Sequence, residues 1–148
     1  MEHRYAKFVK DKYVLLSELG SKFNLCFSSH FVLGNRLVAL DGIKKILLVS
    51  DTNNELSQPY IIELNKVMAI SIKKIYGSIG SDELRTKNFE DFLKRIDLQF
   101  EYLDKDEPVV LTFYDSEINE LRYLPGLERN AKNWQMILSK FMVSHQRK

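Results

Sequence analysis

Two stretches of alternating apolar and polar residues, followed by a helical stripe, limit what the last third of this chain can become. Ile96, Leu98, Phe100 and Tyr102 alternate with Asp97, Gln99 and Glu101, and a second alternation runs over 109–114. Period two is the signature of a half-buried strand. The polar run 104–108 between them predicts a hairpin loop. Leu127, Ala131, Trp134, Leu138 and Phe141 then recur at spacings of four, three, four and three, which places them on one face of a helix. The expected architecture is a sheet closed by a C-terminal amphipathic helix over 127–143, with Trp134 as its core anchor.

Upstream, Tyr5, Val9, Tyr13 and Leu16 share a helical face, with Phe8 and Leu19 beside it, and Gly20 is the expected stop. This predicts a helix over 4–19. Phe23, Leu25 and Phe27 alternate with Asn24, Cys26 and Ser28, which predicts a strand over 23–28. Asp41-Gly42, flanked by apolar runs, predicts a tight type I′ hairpin turn. Further strands are expected over 60–64 and 67–75, with a bend at Asn65-Lys66. Residues 81–95 read as a helix or helical loop capped by Ser81, and 118–124 as a turn or short helix.

The chain of 148 residues is 45% hydrophobic and 28% charged, enough for one self-sufficient core. A single domain over 1–148 is expected, since no linker or composition shift divides it. The formal charge of +2 supplies no broad cationic field for nucleic acid or an anionic membrane. No apolar run is long enough to span a bilayer. Cys26 is the only cysteine, which excludes an internal disulfide and suits a reducing, cytoplasmic setting.

No cofactor, metal or catalytic motif stands out. His3, His30 and His145 are far apart in sequence and not at ligand spacing from Cys26. Cys26 with His30 and a distant carboxylate could assemble a small enzyme's site, although an inert buried or half-buried cysteine is the simpler reading. Asp104, Asp106 and Glu107 read as solvated loop carboxylates. Asp115 and Glu117 read as charges at a helix start.

Lys44-Lys45 and Lys73-Lys74 are candidates for binding an anion or an acidic partner, with nucleic acid as a third function class. Adjacent strand residues face opposite ways, so a β-bulge at Lys73-Lys74 is needed to bring those amines together and return Ile75 to the core. The tetrapeptide Ile-Lys-Lys-Ile recurs at 43–46 and 72–75, with flanks too unlike for a repeat. Phe100, Tyr102, Phe113 and Tyr114 could stack bases, but their acidic neighbours favour core packing.

The passage 60–74, strand, bend and strand, resembles bacterial pleckstrin-homology-like domains, with the strands at 96–102 and 109–114 and the Trp134 helix in the corresponding order. The resemblance covers about 31–143, the 4–19 helix lying outside it. It implies a strongly bent, mainly antiparallel barrel or sandwich capped by the last helix, and a role in binding lipids, peptides or proteins. Lys44 and Lys45 alone stand near the first hairpin, which disfavours a lipid headgroup. The expectation is a non-enzymatic binding or assembly module, with an unidentified protein partner or a second copy of the chain.

Overall fold

The computed structural model describes residues 2–51, 58–78 and 89–143. It is an α+β chain with two antiparallel sheets, an N-terminal helix and a C-terminal helix. Two compact units divide at Asn65: Met1–Asn65 and Lys66–Lys148. The curved single sheet expected from the sequence is resolved into a four-stranded and a three-stranded sheet.

The first unit begins with α1 (Glu2–Phe23) and continues as a meander of β1 (Ser29–Leu33), β2 (Arg36–Asp41), β3 (Ile46–Asp51) and β4 (Tyr60–Glu63). Gly34 takes φ 62° in the two-residue turn between β1 and β2, a geometry that glycine adopts without strain. Leu37, Val38, Ala39, Leu40, Leu47, Leu48 and Val49 are all buried. Both faces of β2 and β3 are therefore sequestered, which their unbroken apolar runs dictate. On one of those faces Leu48 meets Leu19 and Leu25, with Leu15, Phe23, Phe27 and Ile46 packed around them.

α1 differs from expectation in two ways. It runs through Gly20 and ends in a Schellman motif: Leu25 N–H donates to the Gly20 carbonyl at 2.8 Å, and Asn24 takes φ 55°. Asparagine is the commonest substitute for glycine at such a left-handed cap, and the accompanying apolar contact is Leu25 on Leu19. Gly20 is needed for a different reason, since a β-carbon there would lie 3.0 Å from the Leu25 carbonyl oxygen. The predicted strand over 23–28 is thus a helix end followed by a connecting segment. The packed stripe is also rotated to Leu15, Leu19 and Phe23, which leaves Tyr13 exposed.

The Asp41-Gly42 hairpin exists with a longer turn than predicted. Asp41 pairs with Ile46, residues 42–45 form the turn, and the positive φ of 62° falls on Lys45 rather than on Gly42. The Asp41 carboxylate, described below, holds this wider turn.

The second unit consists of β5 (Val67–Tyr76), β6 (Leu93–Tyr102), β7 (Val109–Asp115) and α2 (Leu124–Ser139), with β6 central. Leu98, Phe100, Leu111 and Phe113 are fully buried, Ile70 nearly so and Ile72 half so, as the alternation predicts. A register shift in the β6–β7 pairing after Ile96 makes Phe113 an extra residue. Phe113 and Tyr114 are consecutive yet both buried, as a β-bulge allows.

α2 packs across all three strands, and Gln135 Nε2 donates to the Ile70 carbonyl at 2.9 Å. It starts earlier than predicted because Pro125 fits its first turn. Leu124, Ala131 and Leu138 are its buried residues, whereas Leu127 and Trp134 are half-buried on its flank; the helix ends at Ser139, earlier than the expected 143, and the half-buried Phe141 lies in the turn that follows. The indole is therefore a lateral contact and not the centre of the core. Ile118 is followed by a 3₁₀ turn, Leu121–Tyr123. Phe89–Phe92 is likewise 3₁₀ and leads into β6. The expected cap at Ser81 lies outside the described residues.

Candidate functional site

The end of α1 and the start of β1 enclose an open depression of about 600 Å³. From α1 come Tyr13, Leu16, Ser17, Gly20 and Ser21, and from the returning chain come Asn24, Leu25, Phe27, Ser28, Ser29 and His30. Tyr13, Ser17, Ser21 and Asn24 follow one another at intervals of four, four and three, a polar stripe beside the packed one. Across from it His30 meets the Tyr13 ring edge-on, with centroids 5.8 Å apart and planes at 84°. The Lys12 ammonium lies 4.9 Å from the Tyr13 centroid. Among the described residues no Asp, Glu, Lys or Arg lines the depression.

The wall made by 24–28 has no ladder of its own and is held from below. Asp41 Oδ2 accepts from the Cys26 N–H at 2.9 Å, and Oδ1 accepts from Ile43 and Lys44 N–H at 3.0 and 2.9 Å. Ser28 donates from its amide to the Leu40 carbonyl at 2.8 Å, and its hydroxyl reaches the same oxygen at 3.2 Å. Lys44 Nζ donates to the Asn24 carbonyl. Burial raises the pKa of Asp41, but the N–H groups of Lys44, Cys26 and Ile43 and the Lys44 charge outweigh it. The carboxyl is thus held below its ordinary 3.8.

His30 lines the depression; Cys26 does not, although both its neighbours do. The thiol is exposed, contrary to the buried or half-buried cysteine expected, because 24–28 is a connection and not a strand. Lys44 clamps the end of α1, and Lys45 supplies the left-handed turn residue.

Lys73 lies opposite Asp97 across the β5–β6 ladder, and Lys74 opposite Ile96. The register runs unbroken through both, so the bulge expected there is absent and Ile75 stays on the exposed side. Lys74 instead meets Glu128 of α2 at 2.7 Å. That hydrogen bond holds the Glu128 pKa down, against a smaller opposing effect of burial. The two Ile-Lys-Lys-Ile copies therefore have unlike structures, one in a turn and one in a strand.

Phe100, Tyr102, Phe113 and Tyr114 are all buried, which removes the base-stacking reading. Asp104, Asp106 and Glu107 are exposed loop residues. Asp115 Oδ1 accepts from the Glu117 N–H at 3.0 Å in a turn. Sequence reasoning did not single out Asp97, which is 1% exposed on the outer side of its sheet. Arg95 Nε lies 3.1 and 2.9 Å from its two oxygens, and the Thr112 hydroxyl donates at 2.8 Å.

Among the described residues no cluster of His, Cys, Asp and Glu could hold a metal ion, and no helix is long and apolar enough to cross a membrane. No family model, curated protein or solved structure matches this chain.

Proposed function

We propose that this chain is a non-enzymatic binding module for a protein partner, with the depression beside α1 as its contact site. The uncharged lining carries the reading: hydroxyl, amide, imidazole and phenol groups set among Leu16, Leu25 and Phe27. Such a surface suits neutral polypeptide; the nearest ammonium groups among the described residues, Lys12 and Lys44, lie against the Tyr13 ring and the Asn24 carbonyl rather than in the lining. A nucleophile activated by His30 needs an orienting carboxylate. Among the described residues the lining offers none, and both oxygens of Asp41 already accept backbone N–H groups. Antiparallel strands followed by a terminal helix are in keeping with the resemblance to pleckstrin-homology-like domains and its link to binding. Lys44 and Lys74 have intramolecular roles, which argues against their serving as a nucleic-acid patch.

The test is photo-crosslinking from benzoylphenylalanine placed at Ser21, compared with the same probe at Ile118, which is 77% exposed. The expected result is one protein captured through residue 21 alone and lost when Tyr13 and His30 are both replaced by Ala. Equal capture from both positions, or capture that survives the double replacement, would contradict it.

A further inference from the structure

We infer that the partner enters as an extended strand added to the free edge of β1, so that the first sheet gains a fifth strand. This rests on the reading above and specifies its binding mode. β1 is outermost in its sheet, and the two-residue turn makes Leu33 and Arg36 the closing hydrogen-bonded pair. Such pairs alternate along an antiparallel ladder. His30, opposite Ala39, and Val32, opposite Leu37, therefore direct their N–H and C=O groups away from β2. Among the described residues these outward groups have no hydrogen-bond partner.

Another extended backbone offers donors and acceptors at the matching spacing of about 7 Å. Edges that must stay alone usually carry lysine, proline or a bulge. β1, Ser-His-Phe-Val-Leu, has none of these. By contrast, β5 at one edge of the second sheet carries Lys73 and Lys74, and its Ile70 carbonyl already accepts from Gln135.

The side chains fit the same occupant. His30 turns toward α1, as its contact with Tyr13 requires, and Val32, two residues on, faces the same way. Val32 is 40% and Tyr13 61% exposed. A strand laid along β1 would set alternate side chains over Val32, His30 and the Tyr13 ring, at the mouth of the depression. With no charged side chain among the described lining residues, those positions select uncharged, apolar or aromatic residues. The occupant is thus an extended segment of a partner protein with such residues at every second position.

The experiment pans a displayed library of random peptides about ten residues long on the full chain and measures the enriched peptides by fluorescence anisotropy. N-methylation at alternate peptide residues should weaken binding at least about tenfold, and methylation of the intervening residues should not. Val32→Pro removes an outward N–H and should weaken binding to a similar degree. If that variant fails to fold by circular dichroism, the N-methyl scan decides alone. Peptides that respond to Tyr13→Ala but not to N-methylation or Val32→Pro would overturn strand addition and leave the binding function standing. Peptides indifferent to Tyr13→Ala, or no enrichment at all, would overturn both. A dimer of the chain that Val32→Pro turns into a monomer would show a second copy in the place assigned to the partner, and would overturn the proposal too.

Discussion

Replacing Asp41 by Ala should lower the unfolding free energy by about 3 kcal/mol: three hydrogen bonds to a charged acceptor, each worth about 1.5–3 kcal/mol, are lost, and water regains part of their sum because the donors belong to exposed residues. The carboxylate sits on a residue 1% exposed and accepts from Cys26, Ile43 and Lys44. Alanine would leave those part-buried N–H groups without their acceptor, and water would satisfy only part of them. Urea unfolding read by fluorescence gives the value, with an unchanged denaturant slope showing that the native fold persists. A loss below about 1 kcal/mol would mean that the turn closes without the carboxylate.

The same group sets a pH dependence. Its pKa in the folded chain is depressed below 3.8, so the unfolded chain binds its proton first as pH falls. The stabilisation is therefore complete above the unfolded value of about 3.9 and fades as pH drops through the folded pKa. Asp41→Ala should remove that part of the acid sensitivity. Asp97 is equally buried, but it leans on an Arg95 side chain that is 45% exposed, so solvent screens much of that pair.

Leu138→Ala should cost about 3 kcal/mol, and Trp134→Ala about 2 kcal/mol or less, although the indole is the larger group. Core Leu→Ala replacements cost about 2–5 kcal/mol, and the cost scales with the cavity left behind. Leu138 is 0% exposed beneath α2, whereas Trp134 is half-buried on its flank. Thermal and urea unfolding of the two variants should therefore rank them opposite to side-chain size. A larger loss for Trp134→Ala would put the indole in the centre of that core after all.

This reversal shows what the sequence could convey. Period four-three puts Leu127, Ala131, Trp134, Leu138 and Phe141 on one side of a helix; α2 turns the first four inward and ends before Phe141. Periodicity gives a face but not its centre line, and the centre runs through Leu124, Ala131 and Leu138. The strands at 96–102 and 109–114 were legible because one side of each is polar. β2 and β3 were legible because both of their sides are apolar and Asp41-Gly42 separates them.

The connection over 24–28 was misread because Phe23, Leu25 and Phe27 alternate by coincidence. Phe23 ends α1, and Leu25 closes its cap. A left-handed asparagine carries no periodic signal, and neither does a carboxylate that binds an amide 15 residues away in sequence. For the same reason the sequence marks His30 as a candidate but assigns Tyr13 to the packed face and does not single out Ser17 and Ser21. Their spacing was visible, but only the return of the chain makes their face a wall.

Amide hydrogen exchange of the free chain, resolved by residue, tests most directly whether a clamped wall stands beside an open strand edge. The Leu25, Cys26 and Ser28 amides donate to the Gly20 carbonyl, Asp41 Oδ2 and the Leu40 carbonyl. They should exchange slowly, with the amides of Asp41→Ala losing protection first at Cys26. His30 and Val32 should exchange close to the unprotected rate despite lying within a strand. Rapid exchange at Cys26, or protection of His30 and Val32 equal to that of β2, would contradict the account.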